Sequence, residues 1–133
     1  MSLSIVIIGA GHLGNYHLTK VAAHPDATLH AIVELDGDKH VELETLYNVP
    51  ICSELTQIPA GADAAIVATP TQSHLEIAST ALAQDLHVLV EKPVCASTDE
   101  GKILCERALD ARKVLQVGHT ERFNPAVSAA LSV

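Results

Sequence analysis

Aromatic side chains are nearly missing from this 133-residue sequence, which has no tryptophan, one phenylalanine and two tyrosines. Its apolar content of 48% is carried by Ala, Val, Leu and Ile instead. Such a composition suits an α/β protein whose parallel strands are buried on both faces, and it argues against disorder. Basic residues are also few, eight against sixteen acids, for a formal charge of −8 with no run of Lys or Arg. A nucleic-acid surface and an anionic membrane surface are therefore disfavoured, and any phosphate must be held by backbone. No apolar run reaches eighteen residues, and no basic segment precedes the apolar N-terminus, so neither a membrane span nor a signal peptide is expected. The three cysteines, Cys52, Cys95 and Cys105, form no C-x-x-C pair; they read as reduced thiols of a cytoplasmic protein. The eight histidines show no H-x-x-x-H or H-E-x-x-H spacing, so no metal site is expected and most read as surface or capping residues. The length fits one domain.

The chain is organised around Ser4 to Gly14, where four β-favouring apolar residues run into Gly9-Ala10-Gly11-His12-Leu13-Gly14. The three glycines match G-x-G-x-x-G, the turn between a strand and a helix that cradles a dinucleotide pyrophosphate. Gly9 makes the turn, Gly11 lets backbone approach the pyrophosphate, and Gly14 lets helix pack on strand. Backbone N–H groups then face the anion at the helix N-terminus. A second strand, Thr28 to Glu34, ends in a carboxylate twenty residues after Gly14. A carboxylate there accepts hydrogen bonds from the adenosine ribose hydroxyls and repels a 2′-phosphate, and Leu35, not an arginine, follows it. NAD is expected over NADP.

Further elements alternate. Helices are expected over Asn15 to Ala23 and Gly37 to Tyr47, with a third strand over Val49 to Cys52. Ala64 to Ala68 is a wholly apolar fourth strand. Thr71 or Ser73 can cap a helix bearing Leu75, Ala78 and Leu82, and Leu86 to Val90 is the fifth strand. Ser97-Thr98-Asp99-Glu100 is a capping box opening a helix to Ala111, followed by strand Val114 to Val117, and Asn124-Pro125 caps a last helix. Six strands alternating with helices define an α/β doubly wound parallel Rossmann sheet of order 3-2-1-4-5-6 with helices on both faces. Ligands of such a sheet lie at the carboxyl ends of its strands, where Thr69-Pro70 and Glu91-Lys92-Pro93 fall. A lysine there can donate to a substrate hydroxyl or share its proton.

Gly9 to Gly14, Ala68-Thr69-Pro70 with His74 four residues on, Glu91-Lys92-Pro93, and Val117-Gly118-His119 followed by Arg122-Phe123-Asn124-Pro125 together resemble the Gfo/Idh/MocA oxidoreductases. The resemblance runs from about Ile5 to Pro125. It implies that Gly9, Gly11, His12, Leu13 and Gly14 bind pyrophosphate and Glu34 the adenosine ribose. It assigns Thr69, Pro70 and His74 to the middle of the cofactor, Glu91 to the nicotinamide ribose, and Lys92 to catalysis. His119 reads as a cofactor-side or packing histidine. The family's members carry a second domain that binds a sugar or polyol and supplies a catalytic histidine. Residues 1–123 are thus expected to be the dinucleotide-binding domain, and residues 124–133 the start of the helix leading to an absent substrate domain. The implied parent is an oxidoreductase acting on a sugar, polyol or nucleotide-sugar carbinol, with this chain alone inactive; a free-standing NAD-binding regulatory module is the alternative. Val127, Leu131 and Val133 would then face solvent and favour self-association.

Overall fold

The computed structural model describes residues 2–131. Six strands, β1 (Leu3–Ile8), β2 (Ala27–Val33), β3 (Ile51–Cys52), β4 (Ala64–Val67), β5 (His87–Val90) and β6 (Leu115–Val117), form one sheet in the order β3-β2-β1-β4-β5-β6. Every neighbouring pair is parallel. Helices α1 (His12–Ala23), α2 (His40–Tyr47), α3 (His74–Ala83) and α4 (Thr98–Ala111) make the crossovers, and α5 (Pro125–Leu131) follows β6. The expected six strands and their order are thus present.

Alternation along β1 shows why the strand segments are wholly apolar. Val6 and Ile8 enter one core, with Ala78 and Leu82 of α3 and Leu104 and Ala108 of α4. Ile7 enters the other, with Leu18 and Val21 of α1 and Leu43 of α2. Both faces are covered, so neither parity of the strand can be polar. In β2 the alternation breaks, since Leu29 and Ile32 share one core although three residues apart. A register shift between Ile5 and Val6 carries the pairing from Leu29 to Ala31. His30 is the residue passed over, and its ring bonds Ser4 Oγ at 2.9 Å and the Pro59 carbonyl at 3.0 Å.

Element ends depart from expectation in four places. Helix α1 begins at His12, three residues before the expected Asn15, because its N-cap is Gly11 and no capping side chain marks the start. Strand β3 is shorter than expected: Pro50 has no N–H to donate, and only its carbonyl joins the ladder, accepting from Ile32. Neither Thr71 nor Ser73 caps α3 through its side chain; the Ser73 hydroxyl donates back to Thr69 Oγ1 and the Pro70 carbonyl. The capping box of α4 is half formed, with Ser97 Oγ accepting from the Glu100 amide while Glu100 reaches the Ala96 amide rather than that of Ser97. Asn124 does cap α5, its Oδ1 accepting from the Ala126 amide. On α5, Val127 is half-buried and Leu131 is exposed, while Val133 lies outside the described residues. No helix among the described residues is long and apolar enough to cross a membrane.

Cys52 and Cys95 are buried and Cys105 is exposed. Burial pushes the thiols of Cys52 and Cys95 up, and for Cys95 the nearby Glu100 and Cys105 add to the effect. A thiol whose folded pKa is raised contributes stability below its ordinary range and loses it as pH rises through the raised value. At pH 8, iodoacetamide should therefore label Cys105 in the native protein and reach Cys52 and Cys95 only after denaturation. Peptide mass spectrometry reads the order; equal native labelling of Cys52 would show that the β3 edge opens readily.

Candidate dinucleotide site

The glycine turn has three different steric environments. Gly9 sits at φ +91°, and a Cβ there would lie 2.8 Å from the Ala68 carbonyl oxygen. Only glycine fits both the dihedral and the space. At Gly14 a Cβ would lie 1.8 Å from the Gly9 carbonyl oxygen, so α1 can pack this close to β1 only without a side chain. Gly11 is the opposite case, with nothing within 4 Å of where its Cβ would stand. The fold does not fill that space, and it adjoins the first amides of α1. This helix start has no side-chain cap and no acid in its first turn. Exposed N–H groups, a helix dipole and an open approach form an anion cradle.

Glu34 stands at the end of β2 and is held from two sides. Its Oε2 accepts from the Ala10 amide at 2.8 Å and its Oε1 from the Asp36 amide at 3.0 Å. Each carboxylate oxygen keeps a further acceptor position. Lys39 lies 3.8 Å from both Glu34 and Asp36, a cation close to the acid that spacing alone had not revealed. A cleft of about 450 Å³ joins Gly9, Gly11, Glu34, Thr69 and Pro70, and its far wall is Ser53, Glu54 and Thr56 beyond β3 and Ile77 and Thr80 of α3. Those wall residues carried no motif, since their proximity comes from the sheet order.

The remaining expected residues lie outside the lining of this cleft. His12 and Leu13 are exposed on the first turn of α1, the His12 ring edge-on to Tyr16 with centroids 5.1 Å apart. His74 is 1% exposed; its Nδ1 lies 3.0 Å from the Pro93 carbonyl and its Nε2 2.8 Å from that of Thr69. Both ring nitrogens are engaged with backbone, so His74 ties the end of β4 to the segment after β5 and offers the cofactor no free polar atom. Glu91 is buried, Lys92 beside it is exposed, and the Lys92–Pro93 peptide is cis. His119 is exposed after β6. His17, read from sequence as one of the surface or capping histidines, instead reaches Glu91 Oε1 at 2.7 Å. The signal for it was present: Gly14, Leu18 and Val21 mark the buried stripe of α1, and His17 is one turn from Gly14 on its edge. Among the described residues no cluster of three or more His, Cys, Asp or Glu could hold a metal ion.

A parallel sheet wound in two halves, with a glycine turn and an anion cradle at its switch point and a pinned acid closing the second strand, defines a dinucleotide-binding Rossmann domain. The chain belongs to the GFO_IDH_MocA oxidoreductase family, whose NAD-binding Rossmann fold matches residues 3–119. It is 31% identical over 121 residues to the UDP-N-acetylglucosamine 3-dehydrogenase of Acidithiobacillus ferrooxidans, covering 91% of this chain and 38% of that protein. It is likewise 31% identical over 131 residues to the scyllo-inositol 2-dehydrogenase (NAD(+)) of Bacillus subtilis, covering 93% and 37%. Among solved structures, GenD2 from gentamicin A biosynthesis in complex with NAD superposes with a TM-score of 0.83 at 28% identity, covering 88% of this chain and 34% of GenD2. The chain thus spans less than half the length of these relatives.

The glycine environments separate folding from binding. Gly14→Ala should cost ~3 kcal/mol or more, because a backbone oxygen cannot step aside. Gly11→Ala should leave stability within ~1 kcal/mol of the parent while weakening dinucleotide binding. Urea unfolding and calorimetric titration measure the two effects; equal stability losses would refute the distinction.

Proposed function

We propose that this chain is the cofactor-binding half of an NAD-dependent oxidoreductase that transfers hydride between nicotinamide and a carbinol carbon of a sugar, polyol or nucleotide sugar. The observation that carries the reading is the pairing of the open Gly11 approach with the pinned Glu34 carboxylate on one cleft. These residues fit the cofactor by chemistry. The amides from Gly11 to Gly14 would hold the pyrophosphate, Glu34 would accept from the adenosine ribose, and Thr69 and Pro70 would border the middle of the molecule. Glu91 would face the nicotinamide ribose, with His119 on the cofactor side. When bound, the nicotinamide supplies the hydride acceptor. Lys92, exposed at the carboxyl end of the sheet, would hold or take the hydroxyl proton as the carbinol is oxidised. The named activities of the relatives, on a UDP-amino sugar and an inositol, support the carbinol class.

NAD should bind more tightly than NADP, since a 2′-phosphate would meet the Glu34 carboxylate and displace its ribose hydrogen bonds. Glu34→Ala should cost on the order of 1–3 kcal/mol of NAD affinity and narrow the difference. Calorimetric titration with both cofactors decides it, and equal or tighter NADP binding to the parent would reject the assignment.

In a full-length protein carrying this domain, Lys92→Ala should lower kcat by about two to four decades and leave NAD affinity within severalfold. Lys92→Arg should not rescue, because a guanidinium keeps its proton and its planar bulk. Near-normal turnover of the alanine variant in steady-state assays would reject the role.

A further inference from the structure

Among the described residues the buried polar side chains are His74 and Glu91, and they differ in kind. His74 is spent on two backbone carbonyls. Glu91 carries a carboxylate into a site 7% exposed, where an unpartnered charge is costly. Two donors hold it there and a third neighbour leaves it room. A His17 ring nitrogen donates to Oε1 at 2.7 Å, and the Lys92 amide donates to Oε2 at 3.2 Å. The third neighbour is Gly118 at the end of β6, where a Cβ would stand 2.9 Å from Oε2 and 3.1 Å from Cδ. Held by His17 of α1 and by the adjacent Lys92 amide, and given room by the glycine after β6, the carboxylate has an orientation set across the sheet rather than by β5 alone.

We propose that His17 is a positioning residue for the nicotinamide-ribose end of the site, acting through Glu91, and that the absent side chain of Gly118 is the second half of the device. The inference rests on the reading that Glu91 faces that ribose. His17 is on the helix that begins at the pyrophosphate cradle, so one rigid element both receives the phosphates and aims the acid one strand beyond the switch point. Loss of the His17 donor leaves the buried carboxylate short of a partner, and it turns to find one. The adenosine end, organised by Glu34 and Gly11, shares no hydrogen bond with this cluster.

That separation supplies the test. ADP carries the adenosine and pyrophosphate but not the nicotinamide riboside, so the ratio of NAD to ADP affinity isolates the far end. Calorimetry on this chain should show NAD binding more tightly than ADP. In His17→Leu and in Gly118→Ala the advantage should shrink by about tenfold, the scale of one hydrogen bond to a charged group, with ADP affinity unchanged. His17→Gln, whose amide can donate at similar reach, should restore part of the advantage. An unchanged ratio in His17→Leu, a parallel fall in NAD and ADP affinity, or a glutamine variant no better than leucine would each overturn the positioning role. A parent chain with no preference for NAD over ADP would instead overturn the underlying reading of Glu91, and this inference with it.

Discussion

The structure depends on one close approach, the backbone of α1 against the carbonyl of Gly9. With 1.8 Å between that oxygen and the position of a Gly14 Cβ, no side chain can be inserted without moving backbone, and this contact sets how closely α1 approaches β1 while Leu18 and Val21 pack on Ile7. The first consequence is that the N-terminus of α1 is presented at the switch point of the sheet. The second is that the next turn brings His17 within reach of Glu91, across the end of β4. A third follows from Gly9 itself, whose positive φ turns the chain under the Ala68 carbonyl and leaves Ala10 able to donate to Glu34. Two of the three glycines are therefore occupied by the fold. Of the three, Gly11 alone has open space where a side chain would stand.

Legibility in the sequence followed the range of the interactions. Strands such as Val6 to Ile8 and Ala65 to Val67 are buried on both faces, so their apolar runs are dictated wherever they fall in the chain, and the order of the sheet then follows from right-handed crossovers. Boundaries set by backbone were harder to read. The start of α1 has no side chain to announce it, and the bulge at His30 in β2 has no glycine to mark it. The half-made capping box of α4 shows the limit of a local pattern: Ser97 and Glu100 are at the right spacing, but the path of Ala96 decides which amide the glutamate meets.

The site divides in the same way. Glu34 was readable because its partners, the turn and the strand end, are close in sequence or fixed by the motif. The place of His17 on the edge of the buried stripe of α1 was readable, but its partner was not, 74 residues away, and neither was that of Gly118, across a strand pair. Gly118 looked like part of a motif without a task; its task is to leave room for a carboxylate. His74 changed in the other direction. The histidine that the motif assigned to the middle of the cofactor is a buried tie between the end of β4 and the segment after β5.

The charge distribution reconciles an acidic chain with an anionic ligand. At −8 the molecule as a whole repels a pyrophosphate, but at physiological ionic strength charges more than about 8 Å away are largely screened, so local groups decide. The helices differ at that scale. Glu42, Glu76 and the pair Asp99 and Glu100 stand in the first turns of α2, α3 and α4, where acids complement the positive end of the helix dipole. The first turn of α1 has none. An acid there would stabilise the helix and fill the place proposed for the phosphate, so the stabilisation that α2, α3 and α4 take from their own side chains is left on α1 for an anion. Lys39 is drawn toward Glu34 and Asp36 and leaves the cradle to backbone alone. On the proposed reading, an acidic domain would hold a phosphate with no cationic side chain in the turn, because the helix start assigned to it is free of its own negative charge.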